Sequence, residues 1–214
     1  FANVIQPTRE ELLTGSCSHK GAWQYYFGNA NPIVLELGCG KGEYTIGLAR
    51  KNPNTNYIGI DIKGARFWRG AKTALEEDLQ NVAFVRAQIE LLEYAFAAKE
   101  VSEIWITFPD PQYKFKRVHH RLTNPTFLRS YRNVLKSDGC VHLKTDSAFL
   151  HGYTLGILDG WGISPKMAHH DVYQYVHAPK EVISIQTFYE QQYRQKNIPI
   201  TYLKFSFYTD VPTT

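Results

Sequence analysis

The residues of this chain that could do chemistry fall in a few short stretches. The first is Glu36-Leu37-Gly38-Cys39-Gly40-Lys41-Gly42-Glu43. Glycines let a backbone turn sharply and let a ligand approach with no Cβ in the way. A dinucleotide fingerprint, G-x-G-x-x-G, needs a glycine where this chain has Glu43. A pyrophosphate would sit poorly beside Glu36 and Glu43, whereas a cation would be welcome. S-adenosylmethionine carries a sulfonium and an ammonium group and no phosphate, and it suits this loop. Asp61 follows the next apolar run, where a carboxylate accepts hydrogen bonds from ribose hydroxyls. Arg86-Ala87-Gln88 falls where an adenine ring lies, so Ala87 and Gln88 are candidate contacts through backbone or side chain. Glu36, Gly38, Gly40 and Asp61 complete that cofactor set.

The second stretch is Thr107-Phe108-Pro109-Asp110-Pro111. Two prolines stiffen the backbone around one carboxylate. From Pro111 to Ser137 there are seven Lys and Arg residues and no Asp or Glu. Such a one-signed run, with Lys114, Lys116 and Arg117 at its head, points to a polyanion partner. Asp110 stands where a methyl acceptor meets a sulfonium, so it is the candidate catalytic residue and a cofactor contact as well.

These groups need elements to hold them. Ile33–Leu37 is a short apolar run broken by Gly38 and predicts a buried strand. Helix 43–50, strand 57–60, helix 65–78 and strand 82–85 follow. A helical segment 89–98 leads to strand 103–108, a long basic loop 110–123 and helix 125–135, with Asn124 as N-cap. Strand 139–144, helix 149–158, a strand near Ile163, helix 185–196 and strand 200–207 complete the chain. Residues 1–30 are expected to form a helical extension, with one helix over 9–27. Alternating strands and helices imply an α/β fold, a mostly parallel sheet with helices on both faces. Ligands of such sheets bind at the carboxyl ends of strands, where Gly38, Asp61, Asp110 and Asp146 all fall.

The 214 residues predict one domain. A hydrophobic fraction of 43% with 21% charged residues excludes a disordered chain. No apolar run reaches the roughly 18 residues a membrane span requires. Cys17, Cys39 and Cys140 are sparse and odd in number, which predicts reduced thiols in a cytoplasmic protein. They show no C-x-x-C and no zinc spacing with the eight histidines, so no metal site is expected. Cys39 reads as a small loop filler. Phe1 rather than Met opens the chain, and a few residues are expected ahead of it.

Four separated stretches together resemble the bacterial-type tRNA (guanine-N7-)-methyltransferases. Pro109-Asp110-Pro111 with Lys114, ending in Arg121-Leu122, is similar to that family's P-D-P-W-x-K signature and basic run, with Gln112 in place of the tryptophan. Asn124-Pro125-Thr126-Phe127-Leu128, Leu143-Lys144-Thr145-Asp146 and Thr187-Phe188-Tyr189-Glu190 resemble its N-P-x-F-L, K-T-D and T-x-Y-E motifs. The resemblance spans residues 25 to 208. It implies a Rossmann-like S-adenosylmethionine-dependent methyltransferase fold. It further implies methyl transfer to N7 of guanine at position 46 in the tRNA variable loop.

On that resemblance Lys114, Asp146, Thr187 and Glu190 are substrate-binding candidates, tRNA is the partner, and the protein is a monomer or homodimer. Tyr113 and Tyr189 are candidates to stack on the base. An S-adenosylmethionine-dependent enzyme acting on another RNA or a small molecule is the alternative reading. A regulator that keeps the fold without chemistry would not need Glu36, Asp61 and Asp110. An oxidoreductase is disfavoured by Glu43.

Overall fold

The computed structural model describes residues 1–208. Its strands are β1 (Val4–Ile5), β2 (Ile33–Leu37), β3 (Asn56–Ile60), β4 (Val82–Val85), β5 (Val101–Thr107), β6 (Leu135–Thr145), β7 (Met167–His169) and β8 (Thr201–Phe205). Its helices are α1 (Arg9–Leu13), α2 (Trp23–Phe27), α3 (Glu43–Lys51), α4 (Gly64–Glu76), α5 (Leu92–Ala95), α6 (Pro125–Val134), α7 (Ala148–Gly160), α8 (Lys180–Ser184) and α9 (Phe188–Gln195). The strands form one sheet in the order β1-β4-β3-β2-β5-β6-β8-β7. Pairs from β1 to β6 are parallel, and β8 runs antiparallel to both β6 and β7. The chain order reverses direction between β2 and β5, which opens a crevice at their carboxyl ends.

The sheet separates two cores, as the unbroken apolar strands require. Leu35, Ile58, Ile104 and Val141 pack on one face with Phe127, Tyr131 and Leu150 of α6 and α7. Val34, Phe84, Trp105 and Tyr202 pack on the other with Tyr44, Phe67 and Val182 of α3, α4 and α8. Each fully buried large apolar side chain contributes about 1.5–3 kcal/mol. Among the described residues no helix is long and apolar enough to cross a membrane.

The first 30 residues depart from the expected single helix. Thr8 caps α1 in a reciprocal pair with Glu11, but Gly15 and Gly21 then take positive φ of 73° and 72°, and the helix stops. The segment also supplies β1, an edge strand beside β4. The segment 89–98 holds a 3₁₀ turn at Ile89–Leu91 followed by the single turn of α5. The strand expected near Ile163 lies at Met167–His169, beyond the turn at Gly162 (φ 67°) and Pro165. The late helix expected over 185–196 starts later, as α9 capped by Thr187, and a separate short helix, α8, precedes it, parted from it where Ile185 turns extended.

Candidate active site

The glycine loop follows β2 and is tied to the end of β3. Gly38 and Cys39 donate their amides to the Ile60 carbonyl at 2.8 and 3.1 Å. Gly40 donates to Asp61 Oδ2 at 3.1 Å, and Lys63 donates to Oδ1 at 2.8 Å. Gly38 and Gly42 hold φ of 73° and 75°, where a side chain is strained, and a Cβ on Gly42 would lie 2.6 Å from the Phe84 ring. Cys39 is buried and its thiol is pushed well up, first by burial and then by Glu36 and Asp61, which fits a filler and not a nucleophile.

Glu36 sits beneath this loop at 3% exposure. Its Oε2 accepts from the Thr45 amide at 2.8 Å and from the Thr45 hydroxyl, and Oε1 accepts from the Thr107 hydroxyl at 2.6 Å. Burial pushes its carboxyl up to about 7, against these donors. Glu36 therefore braces the start of α3 against β5 from below the loop. Thr45 carries no motif signal, and the contact of Thr107 with Glu36 is legible only once the strands are aligned.

A cleft of about 380 Å3 opens beside the loop. Gly38, Asp61, Ala87 and Gln88 line one side, and Gln112, Arg117, His120 and Leu122 the other. Its size suits a small ligand. Asp61 keeps one lone pair free on each oxygen after its two backbone contacts, so two ribose hydroxyls fit there. Ala87 and Leu122 offer apolar walls for an adenine, and Gln88 is steadied by Arg9 at 2.6 Å. S-adenosylmethionine thus fits the residues present. The basic segment borders this cleft, and its Arg117 and His120 join the lining, a place beside the cofactor loop that the sequence did not assign to them.

Asp110 is exposed at the carboxyl end of β5, and its Oδ1 accepts the Gln112 amide at 3.0 Å. Phe108 and Gln112 on either side hold φ of 48° and 49°, conformations that cost of order 1–3 kcal/mol each and gather at functional sites. Lys114 is exposed and begins the 3₁₀ turn Phe115–His120. Arg121 does not join the solvent-facing cations. It is 5% exposed, donates twice to the Gln112 carbonyl and lies over the Phe149 and Tyr153 rings, so it staples the loop to α7.

Asp146 is half-buried just past β6, and burial raises its carboxyl above the usual range. It lies close enough to the Tyr193 hydroxyl to act on it electrostatically, as do Tyr189 and Tyr113. Thr187 caps α9, accepting from the Glu190 amide at 3.3 Å. Glu190 corrects the expectation that it faces a substrate. It is fully buried, with Lys144 on Oε2 at 2.8 Å and the Tyr173 hydroxyl on Oε1 at 2.6 Å. Lys144 also donates to the carbonyls of Val182 and Ile185, and desolvation brings its ammonium down to about 8. This pair fastens α8 and α9 to β6.

Residues 30–203 match a family described as "Putative methyltransferase". A tRNA (guanine-N(7)-)-methyltransferase of Christiangramia forsetii is 67% identical, over 96% of this chain and 92% of that protein. The protein of the same description from Porphyromonas gingivalis is 50% identical over 87% of this chain and 76% of its own length. Among solved structures, the 16S rRNA methyltransferase KamB superposes with a TM-score of 0.67 at 15% identity, covering 88% of this chain and 94% of that one. An antibiotic-related methyltransferase gives 0.63 at 19% identity, over 88% and 94%. At these identities the two structures speak for the fold alone, a Rossmann-like methyltransferase.

Proposed function

Because this chain belongs to the tRNA (guanine-N(7)-)-methyltransferase family, we propose that it methylates N7 of guanine at position 46 in the tRNA variable loop. S-adenosylmethionine is its methyl donor, and when bound it supplies an electrophilic methyl group on a sulfonium. One observation carries the reading. One wall of the cofactor cleft is built from an acid-free basic segment, so a polyanion held by that segment brings its base to the cofactor.

Guanine N7 presents a lone pair, so no proton has to leave before it attacks. The residues therefore have to align partners, an effect worth up to about 7–11 kcal/mol. Asp61 holds the ribose, Gly38 and Gly40 admit the cofactor, and Ala87 and Gln88 border the adenine. Asp110 accepts from the guanine edge and offsets the positive charge that develops on the base. Lys114 holds a phosphate of the target nucleotide. Asp146 and Thr187 border the guanine, with Tyr113 and Tyr189 stacking on a base partly withdrawn from the tRNA fold. Free thiols and a tRNA substrate fit a cytoplasmic location.

The test is incubation of the chain with methyl-labelled S-adenosylmethionine and tRNA that lacks N7-methylguanine, followed by mapping of the modified base. Label at guanosine 46 is the expected result. Label at another nucleotide, or only on small molecules, overturns the assignment.

A further inference from the structure

A second cavity, of about 730 Å3, shares no lining residue with the cofactor cleft. Glu103, Cys140 and His142 line it, towards the amino end of β5 and away from Thr107. One ligand atom from each lies within 4.8 Å of the other two. His142 Nε2 is 3.1 Å from Glu103 Oε2 and 3.2 Å from Cys140 Sγ.

Strand pairing builds this cluster. Cys140 and His142 are two apart on β6 and so share a face. Glu103 is the register partner of Cys140 on the parallel strand β5. The imidazole is fixed on two further sides. Trp105 stacks on it with ring centres 3.9 Å apart, and its Nδ1 lies 2.8 Å from the Tyr202 hydroxyl.

Hydrogen bonds alone serve this arrangement poorly. If Nε2 carries a proton and donates it to Glu103, it has no lone pair for the Cys140 thiol. If it accepts from the thiol, its lone pair faces the Glu103 carboxylate. A cation satisfies all three groups together. Tetrahedral zinc, with bonds of roughly 2.0–2.3 Å, sets ligand atoms about 3.3–3.6 Å apart. The observed 3.1 and 3.2 Å come within a few tenths of this. Nδ1–H then donates to Tyr202, the outer contact that typically fixes the tautomer of a ligating histidine. Among nearby charges, Asp138 and Glu181 oppose those of Lys166 and Lys204.

We propose that Glu103, Cys140 and His142 form a binding site for one divalent transition-metal ion of the zinc class, clipping β5 to β6, with a fourth position open to the cavity. The thiolate, imidazole and carboxylate set selects zinc over magnesium or calcium. Binding forms a sulfur–metal bond and releases the thiol proton to solvent. The spacing C-x-H is no zinc-finger signature and gains meaning only in a strand, which is why the sequence pointed to no metal site.

The test uses the full chain, stripped with a chelator and titrated with Zn2+ by calorimetry and with Co2+ by absorption. One ion per chain and a sulfur-to-cobalt charge-transfer band are expected. Cys140→Ser should abolish the band and weaken zinc at least tenfold. Glu103→Gln, at a half-exposed rim position that leaves the fold intact, should weaken zinc by a similar factor. Absence of saturable binding overturns the site. So does stoichiometric binding that Glu103→Gln and a folded Cys140→Ser leave unchanged.

Discussion

Thr107 donates its hydroxyl to Glu36 at 2.6 Å, joining the last residue of β5 to the strand that leads into the cofactor loop. The same carboxylate holds the first turn of α3 through Thr45. Three elements that position the cleft thus meet at one buried group. Replacing Thr107 by Val keeps the shape and removes one donor. Thr107→Val should cost about 1–3 kcal/mol in urea denaturation, and Thr107→Ser should recover most of it.

The state of Glu36 gives stability a pH dependence. Its carboxyl titrates near 7 when folded and near 4.5 when unfolded. Between those values the folded chain holds a proton that the unfolded chain has released. Stability therefore falls as pH rises through that window, by on the order of 3 kcal/mol from this group. Glu36→Gln should flatten the slope of denaturation free energy between pH 5 and pH 8. An unchanged slope would mean Glu36 stays ionised in its pocket.

Asp61 and Lys114 should divide cleanly by ligand. Asp61→Ala removes the acceptor of the Gly40 and Lys63 amides together with the proposed ribose contact. It should weaken S-adenosylmethionine by about 1–3 kcal/mol in titration calorimetry. Lys114→Ala should leave that affinity intact and weaken tRNA.

For Asp110 the expected effect is on rate. The side chain is exposed and tied only to the Gln112 amide, which an asparagine oxygen also accepts, so the fold survives Asp110→Asn. Single-turnover methylation under saturating tRNA and cofactor should slow by about 10²–10³. His119→Ala should keep the chemistry, because no base is required.

The Lys144–Glu190 pair should behave as structure. Glu190→Gln or Lys144→Met alone leaves one buried charge uncompensated and should cost about 3–5 kcal/mol. Lys144→Met combined with Glu190→Leu should recover much of that loss in chemical denaturation. If Glu190→Gln is stable and selectively loses tRNA affinity, the carboxylate reaches the substrate after all.

What the sequence made legible was whatever a strand end announces by itself. Apolar runs closed by Gly38, Asp61 and Asp110 gave the order of elements, and Gly38, Asp61, Ala87 and Gln88 do meet in one cleft. What it hid depends on pairing between distant strands. The pairing of Thr107 with Glu36 has no signal until β5 lies beside β2, and Cys140 faces Glu103 only through the β5–β6 register. Motif membership also misled on burial. Arg121 and Glu190 sit in stretches that read as ligand-facing, yet one stacks on aromatic rings and the other is sealed against Lys144. Glycines at 15 and 21 outweighed a helical composition in the first 30 residues.

The place of β8 between β6 and β7 bears on how the polypeptide is made. A chain emerging from the ribosome presents β6 and β7 well before residues 201–205 exist, and among the described residues β7 pairs only with β8. Until that last strand arrives, β6 offers an open edge beside Val141 and Leu143, the kind of template that recruits other chains. Completion of the sheet therefore waits until residues 201–205 have been made. A chain stopped before Thr201 should be an aggregation-prone product and not merely a weaker enzyme.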